Sequence, residues 1–180
     1  MALDKATIAK RYAVALFELT HDQGTDTETL AELTALRDVL EQNPEFTKAL
    51  LSLRIDEAAK QKMLAALSEG TSQVVGNLIQ MTYDYRRIQN LPVIITKYEE
   101  LVHKAAGIVN AEVQTAVPLS DEQVSRLKEK LAQRYQANEV RLTQSVDENL
   151  LGGVIVKAND QILDGSLATK LAAIRQSIIR

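Results

Sequence analysis

The chain has no cysteine and no tryptophan, only seven glycines, three prolines and two histidines, and 4% aromatic residues. Without cysteine there is no disulfide, no thiolate nucleophile, no zinc–thiolate site and no iron–sulfur cluster. Two histidines and few aromatics leave little material for a histidine-built metal centre or a stacking platform for bases. No apolar run approaches the roughly 18 uncharged residues of a membrane span. The first residues, Met1-Ala2-Leu3-Asp4-Lys5, lack the basic-then-apolar order of a signal peptide. Basic residues are not in excess: 21 Lys and Arg face 24 Asp and Glu, for a net charge of −3. A dedicated nucleic-acid binder needs a basic surface to neutralise phosphates, so that class is disfavoured. What remains is 180 residues with 46% hydrophobic and 25% charged side chains, the make-up of one globular domain or two small ones.

Because glycine and proline are rare, each one punctuates. Ile8, Tyr12, Ala15, Leu16 and Leu19 recur at helical spacing, and Gly24 closes that helix. A second helix starts near Asp26, carries Leu30, Leu33, Leu36 and Leu40, and stops at Asn43-Pro44. Pro44 opens a short third helix through Ala49 and Leu50. Asp56 is the predicted N-cap of a fourth, with Ala59, Met63 and Leu67 on its stripe and Gly70 at its end. A fifth follows Thr71-Ser72, carries Val75, Leu78, Ile79, Thr82 and Tyr85, and runs to about Ile88; Gly76 inside it predicts close packing. Pro92 opens a sixth, with Ile95, Tyr98, Leu101, Val102 and Ala105, closed by Gly107. Six amphipathic helices with short joints predict a helical bundle.

The period changes at Gly107. From Val109 to Val117, apolar or β-branched residues alternate with Asn110, Glu112, Gln114 and Ala116, the pattern of a half-buried strand ended by Pro118. Ser120-Asp121-Glu122-Gln123 reads as a capping box before a helix carrying Val124, Leu127, Leu131 and Tyr135. Further strands are predicted from Val140 toward Val146, and at Gly152-Gly153-Val154-Ile155-Val156. Asn159-Asp160 is expected to turn the chain into Ile162-Leu163. A last helix from Ser166 aligns Leu167, Leu171, Ile174 and Ile178. The fold class expected is α+β: an N-terminal six-helix bundle over residues 1–106, then a small mixed α/β domain over 107–180, with a hinge at Gly107.

Candidate chemistry is thin. His21 beside Asp22 has the makings of half a catalytic pair, but it equally suits a helix C-terminus, where the dipole favours a cation. His103 sits beside Lys104 with no matching ligand at i+4, and the two histidines alone do not make a metal site. Gly152-Gly153 lacks both phosphate-loop spacings and precedes a strand, so a bend or close backbone approach is expected. Asp164-Gly165-Ser166 lacks the flanking glycines of a nucleophile elbow and reads as a turn followed by a Ser N-cap. Charge is uneven: residues 21–59 hold about nine acids and three bases, while the end of the chain carries Lys170, Arg175 and Arg180 with no acid. The small residues Ala6, Ala9, Ala13, Val14 and Ala15 on the first helix would let another helix approach closely.

Three stretches carry a resemblance. Ala9-Lys10-Arg11-Tyr12-Ala13-Val14-Ala15-Leu16-Phe17-Glu18 resembles the opening of the delta subunit of bacterial F-type ATP synthases, the counterpart of the mitochondrial oligomycin-sensitivity-conferring protein. Arg87-Ile88-Gln89-Asn90-Leu91-Pro92 resembles that family's joint between helices five and six. GGVIVKANDQILDGSLATKLAAIRQSI, from Gly152 to Ile178, is similar to its end signature and is the most specific of the three. The resemblance spans the chain. It implies a non-catalytic peripheral-stalk subunit at the cytoplasmic face of the cell membrane, without cofactor, nucleic acid or direct membrane insertion. The bundle would hold the N-terminal segment of an α subunit of the catalytic head between helices one and five. The implied groove residues are Tyr12, Ala15, Val75, Ile79 and Thr82. The second domain would hold the stalk's b-subunit dimer. The competing class is a small hydrolase or transferase using His21, or Asp164 with Ser166, which would require a pocket of converging polar groups.

Overall fold

The computed structural model describes residues 5–147, 149–159 and 161–178. The chain divides into two compact units, Met1–Val102 and His103–Arg180. The division falls in the last turn of a helix, upstream of Gly107.

The first unit contains α1 (Lys5–Gln23), α2 (Asp26–Gln42), α3 (Pro44–Leu51), α4 (Glu57–Ser68), α5 (Gln73–Asp84), a 3-10 turn at Ile88–Asn90, and α6 (Leu91–Ala105), which continues into the second unit. The punctuation acts as expected. Gly24 sits at φ 69° and Gly70 at φ 79°, the left-handed region that L side chains resist. Asp56 caps α4 by accepting the Ala59 N–H at 2.8 Å. One core joins the helices: Ala9, Ala13 and Leu16 of α1, Leu33, Leu36 and Leu40 of α2, Leu64 of α4, Val75, Leu78 and Ile79 of α5, and Leu91, Ile94, Ile95 and Tyr98 of α6. Ala9 and Ala13 are buried here, so the small residues of α1 first serve packing inside the unit. Polar ties fix the helix pairs. The Arg37 guanidinium of α2 meets the Glu99 carboxylate of α6 at 2.8 Å. Glu32 of α2 accepts the Ser72 backbone N–H at 2.8 Å, holding the start of α5.

Three expectations need correction in this unit. α5 ends at Asp84 rather than near Ile88, because Arg86 takes a left-handed backbone at φ 55° and breaks the helix without a glycine. The α4 stripe is incomplete as read: Met63 and Leu67 do pack against the core, half-buried, but the fully buried positions of the helix are Lys60 and Leu64. Gly76 is not closely packed: an added Cβ would meet only the Thr71 hydroxyl oxygen, at 4.0 Å.

The second unit contains β1 (Ile108–Thr115), α7 (Asp121–Tyr135), β2 (Glu139–Val146), β3 (Val154–Ala158), β4 (Gln161–Asp164) and α8 (Leu167–Ile178). The strand order is β2-β1-β3-β4. β1 and β2 run parallel, joined by α7 as the crossover that parallel strands require, whereas β3 pairs antiparallel with both β1 and β4. Val109, Ala111, Val113 and Thr115 of β1 are buried and their neighbours are not, which is the alternation read in the sequence. Val109, Ala111 and Val113 pack with Val140, Val156 and Ala158, and with Leu127, Leu131 and Tyr135 of α7. The capping box is formed: Ser120 Oγ accepts from Gln123 N–H at 3.3 Å, and Gln123 Oε1 accepts from Ser120 N–H at 2.9 Å. β1 stops at Thr115, short of Val117, because the Thr115 hydroxyl donates to the Val117 carbonyl at 2.8 Å and turns the chain before Pro118. Asn159 at φ 48° turns β3 into β4; Asp160 of the expected turn lies outside the described residues.

Candidate binding surfaces

The end of α5 builds an ordered, partly exposed feature of the first unit. Tyr85 caps the helix. The Arg86 N–H then donates to the Tyr83 carbonyl at 2.8 Å and the Arg87 N–H to the Thr82 carbonyl at 2.6 Å. These paired bonds form the Schellman arrangement that satisfies helix-end carbonyls, here with arginine at the position glycine usually takes. The turn sends Arg87 toward α1. Its Nη1 donates to the Tyr12 hydroxyl at 3.2 Å, and its guanidinium carbon stands 5.8 Å from the Tyr12 ring centre and 5.7 Å from that of Tyr85. Both lie within cation–π range. Tyr85 is 64% exposed, and Met81, one helical turn earlier, is 49% exposed. Ala15 and Leu19 are exposed on α1, and Tyr12 is half-buried. Exposed apolar side chains therefore flank the Arg87 bridge on both helices.

The residues expected to line a groove divide. Tyr12 and Ala15 reach the surface. Val75, Ile79 and Thr82 have no exposed area and belong to the buried side of α5, with the Thr82 hydroxyl donating to the Ile79 carbonyl at 2.8 Å. Their i, i+4, i+7 spacing marks the core face of the helix, so they lie beneath the surface rather than on it. Tyr85, expected on the same stripe, is instead exposed, as is Met81, which the stripe did not include; Arg87 beside them is half-buried. Met81 and Tyr85 are themselves an i, i+4 pair, offset to the flank of the buried stripe.

In the second unit, α8 presents a different surface. Every side chain described from 167 to 176 is exposed, including Leu167, Leu171 and Ile174. The expected apolar face of α8 is thus present but does not enter the described core; the Ile178 side chain lies outside the described residues. The helix is held at its start. Leu167 N–H donates to the Gly152 carbonyl at 2.9 Å. Asp164 accepts from the Ser166 N–H at 2.8 Å and the Thr169 hydroxyl at 2.7 Å, and the Thr169 N–H reaches Ser166 Oγ at 3.2 Å. The Thr169 hydroxyl and then Ser166 hold the Asp164 carboxyl below its ordinary value of 3.8. A Cβ on Gly153 would come 2.5 Å from the Gly165 carbonyl oxygen, so this glycine marks the close backbone approach read from the sequence.

The catalytic candidates are accounted for locally. His21 stacks on Phe17 with ring centres 5.0 Å apart, and its Nδ1 lies 3.1 Å from Asp26 rather than beside Asp22. His103 is buried, with the Asn110 amide 2.9 Å from Nδ1 and the Arg141 guanidinium 3.4 Å from Nε2. Ser166 is a buried helix cap whose hydroxyl donates to Thr169 Oγ1. His21 and Ser166 belong to different units. Among the described residues, no three metal-ligating side chains stand together and no helix is long and apolar enough to cross a membrane.

A half-buried aromatic–arginine bridge flanked by the exposed Tyr85 on one unit, and an exposed amphipathic helix on the other, are surfaces of the kind a protein-binding connector would use. The comparisons with known proteins agree. The family model for the ATP synthase delta (OSCP) subunit matches residues 8–178. The chain is 42% identical to the ATP synthase subunit delta of Limosilactobacillus reuteri over 180 residues, covering all of both chains. It is 41% identical to that of Pediococcus pentosaceus over 179 residues, 99% of each. Its fold matches a chain of the Toxoplasma gondii mitochondrial ATP synthase hexamer with a TM-score of 0.73 at 21% identity, covering 97% of this chain and 98% of that one. The chain belongs to the ATP synthase delta (OSCP) subunit family: it is a non-catalytic peripheral-stalk subunit of an F-type ATP synthase.

Proposed function

We propose that the two units divide the connecting role. The first unit holds the N-terminal segment of an α subunit of the catalytic head, on the α1–α5 surface at Tyr12 and Ala15, with Val75, Ile79 and Thr82 as its supporting floor. The second unit holds the b-subunit dimer of the stalk. The subunit works at the cytoplasmic face of the cell membrane, as a peripheral part of the complex. The head is thereby kept from turning with the rotor, and rotation is coupled to proton transport and ATP synthesis. A joint under torque needs slow dissociation from both sides, which packed apolar anchors provide.

The observation that carries this reading is the exposure of apolar side chains on each unit: Met81 and Tyr85 on the first, Leu167 and Leu171 on the second. Two sites on one chain also give avidity that neither has alone. The test is a fragment of residues 1–106, which keeps α6 whole. Mixed with isolated head and, separately, with b dimer, then resolved by size, it should co-elute with the head and not with the b dimer. Capture of the b dimer by this fragment would overturn the division.

A further inference from the structure

We propose that Arg87 is a specificity residue that reads a carboxylate on the apolar-faced helix docking against α1 and α5. This rests on the head-docking reading above and adds the chemistry of the partner. The guanidinium is pre-positioned from three directions: by the left-handed turn at Arg86, by the Tyr12 hydroxyl at 3.2 Å and by the rings of Tyr12 and Tyr85 at 5.8 and 5.7 Å. An arginine carries five N–H donors in a planar fork. The described contacts of the Arg87 side chain use one of them. Among the described residues no carboxylate lies within ion-pair distance of it. The acid nearest in sequence, Asp84, is engaged elsewhere, accepting from Gln80 Nε2 at 2.8 Å.

Stacking and donation to Tyr12 hold the guanidinium still, so a partner carboxylate meets a fork whose ordering is already done. Tyr12 and Tyr85 exclude water from part of its surface, which strengthens a charge-assisted bond. Met81, Tyr85, Ala15 and Leu19 supply apolar contact around the charge. Aromatic residues and arginine together are the composition of an interface hot spot. The occupant that fits is an amphipathic helix with an apolar face and an Asp or Glu on its edge.

The experiment titrates the full-length subunit with a synthetic peptide of the cognate α subunit's N-terminal segment, and with the same peptide carrying Asn and Gln for its acids. Arg87→Gln should weaken the native peptide about tenfold, as loss of one charge-assisted bidentate contact does. The neutral peptide should bind the unaltered protein about as weakly, and combining the two changes should add little, because they remove one interaction. Arg87→Lys keeps the charge without the fork and should recover only part of the affinity. Circular dichroism checks the fold of each variant; the peptide arm uses the unaltered protein, so a misfolded variant leaves the test standing. Equal binding of native and neutral peptides, or an Arg87→Gln loss that persists undiminished with the neutral peptide, overturns the carboxylate reading alone. No binding between the unaltered pair overturns head docking and this inference with it.

Discussion

The hydroxyl of Tyr98 on α6 lies 2.8 Å from the hydroxyl of Thr20 on α1, and both side chains are fully buried. Tyr98 also donates to the Asp26 carbonyl at 3.1 Å, and its ring meets Phe17 edge-on at 6.4 Å. One side chain therefore ties the end of α1 and the start of α2 to α6. Tyr98→Phe should destabilise the first unit by about 1–2 kcal/mol, since buried acceptors lose their donor; urea denaturation measures it. Burial raises the phenol above its ordinary 10.0. A raised value means that the native state favours the neutral form. That stabilisation is complete below about pH 10 and is lost as pH rises toward the higher folded value. The alkaline loss of stability should accordingly be smaller in Tyr98→Phe.

Tyr135, at the end of α7, is the opposite case. Its hydroxyl is buried without a hydrogen-bond partner among the described residues. Removing an unsatisfied polar atom removes a desolvation cost, so Tyr135→Phe should leave the second unit as stable or stabilise it by up to about 1 kcal/mol. Thermal unfolding followed by calorimetry tests the sign, and a clear loss would reveal a bonded hydroxyl.

Two glycines should respond in opposite directions. At Gly76, inside α5, a methyl group meets nothing closer than 4.0 Å. Gly76→Ala should stabilise the bundle by roughly 0.5–1 kcal/mol through helix propensity. At Gly153, φ is 88° and a Cβ would strike the Gly165 carbonyl oxygen. Gly153→Ala should destabilise the second unit by more than the first change gains. Denaturation midpoints of the two variants give the comparison.

Ser166 caps α8 from a buried position. Ser166→Ala should cost about 1 kcal/mol at that helix start, seen as faster hydrogen exchange in its first turn with α7 unchanged. Asp164 shares the contact, and the hydrogen bonds that hold its carboxyl below the ordinary value set the pH sense. The depressed group contributes above its ordinary 3.8 and the contribution is lost as pH falls through the folded value. α8 exchange should therefore accelerate under acid before that of α7.

Ala15 is exposed on α1 beside Tyr12. Ala15→Trp should keep the helical circular dichroism spectrum while reducing affinity for the α-subunit peptide at least tenfold, because a large ring occupies the space a docking helix would enter. Unchanged affinity in the folded variant would move the docking surface elsewhere.

Local signals carried much of the architecture. Gly24, Pro44, Asp56, Gly70, Gly107 and the Ser120–Gln123 box each end or start an element by their own backbone or side-chain chemistry, with no need of distant partners. β1 was legible for the same reason, since alternation is a property of the strand itself. The end of α5 was not legible, because no glycine or proline marks it. Arg86 accepts a left-handed backbone, whose cost for a non-glycine residue is about 1–2 kcal/mol, while the Schellman bonds satisfy the helix-end carbonyls.

Periodicity groups residues on a face but does not say what the face meets. Val75, Ile79 and Thr82 share one face of α5 and are buried; Leu167, Leu171 and Ile174 share one face of α8 and are exposed. On α4 the buried side passes through Lys60, which no hydropathy pattern selects. The sequence by itself determined the helical half, the change of period at Gly107, the caps and the family signature, because these depend on residues a few positions apart. Only the tertiary structure decided the strand order β2-β1-β3-β4, which apolar stripe stays in contact with water, and the meeting of Arg87 with Tyr12. Each of these depends on pairing between residues distant in the chain, where many arrangements satisfy the same local pattern and packing selects one.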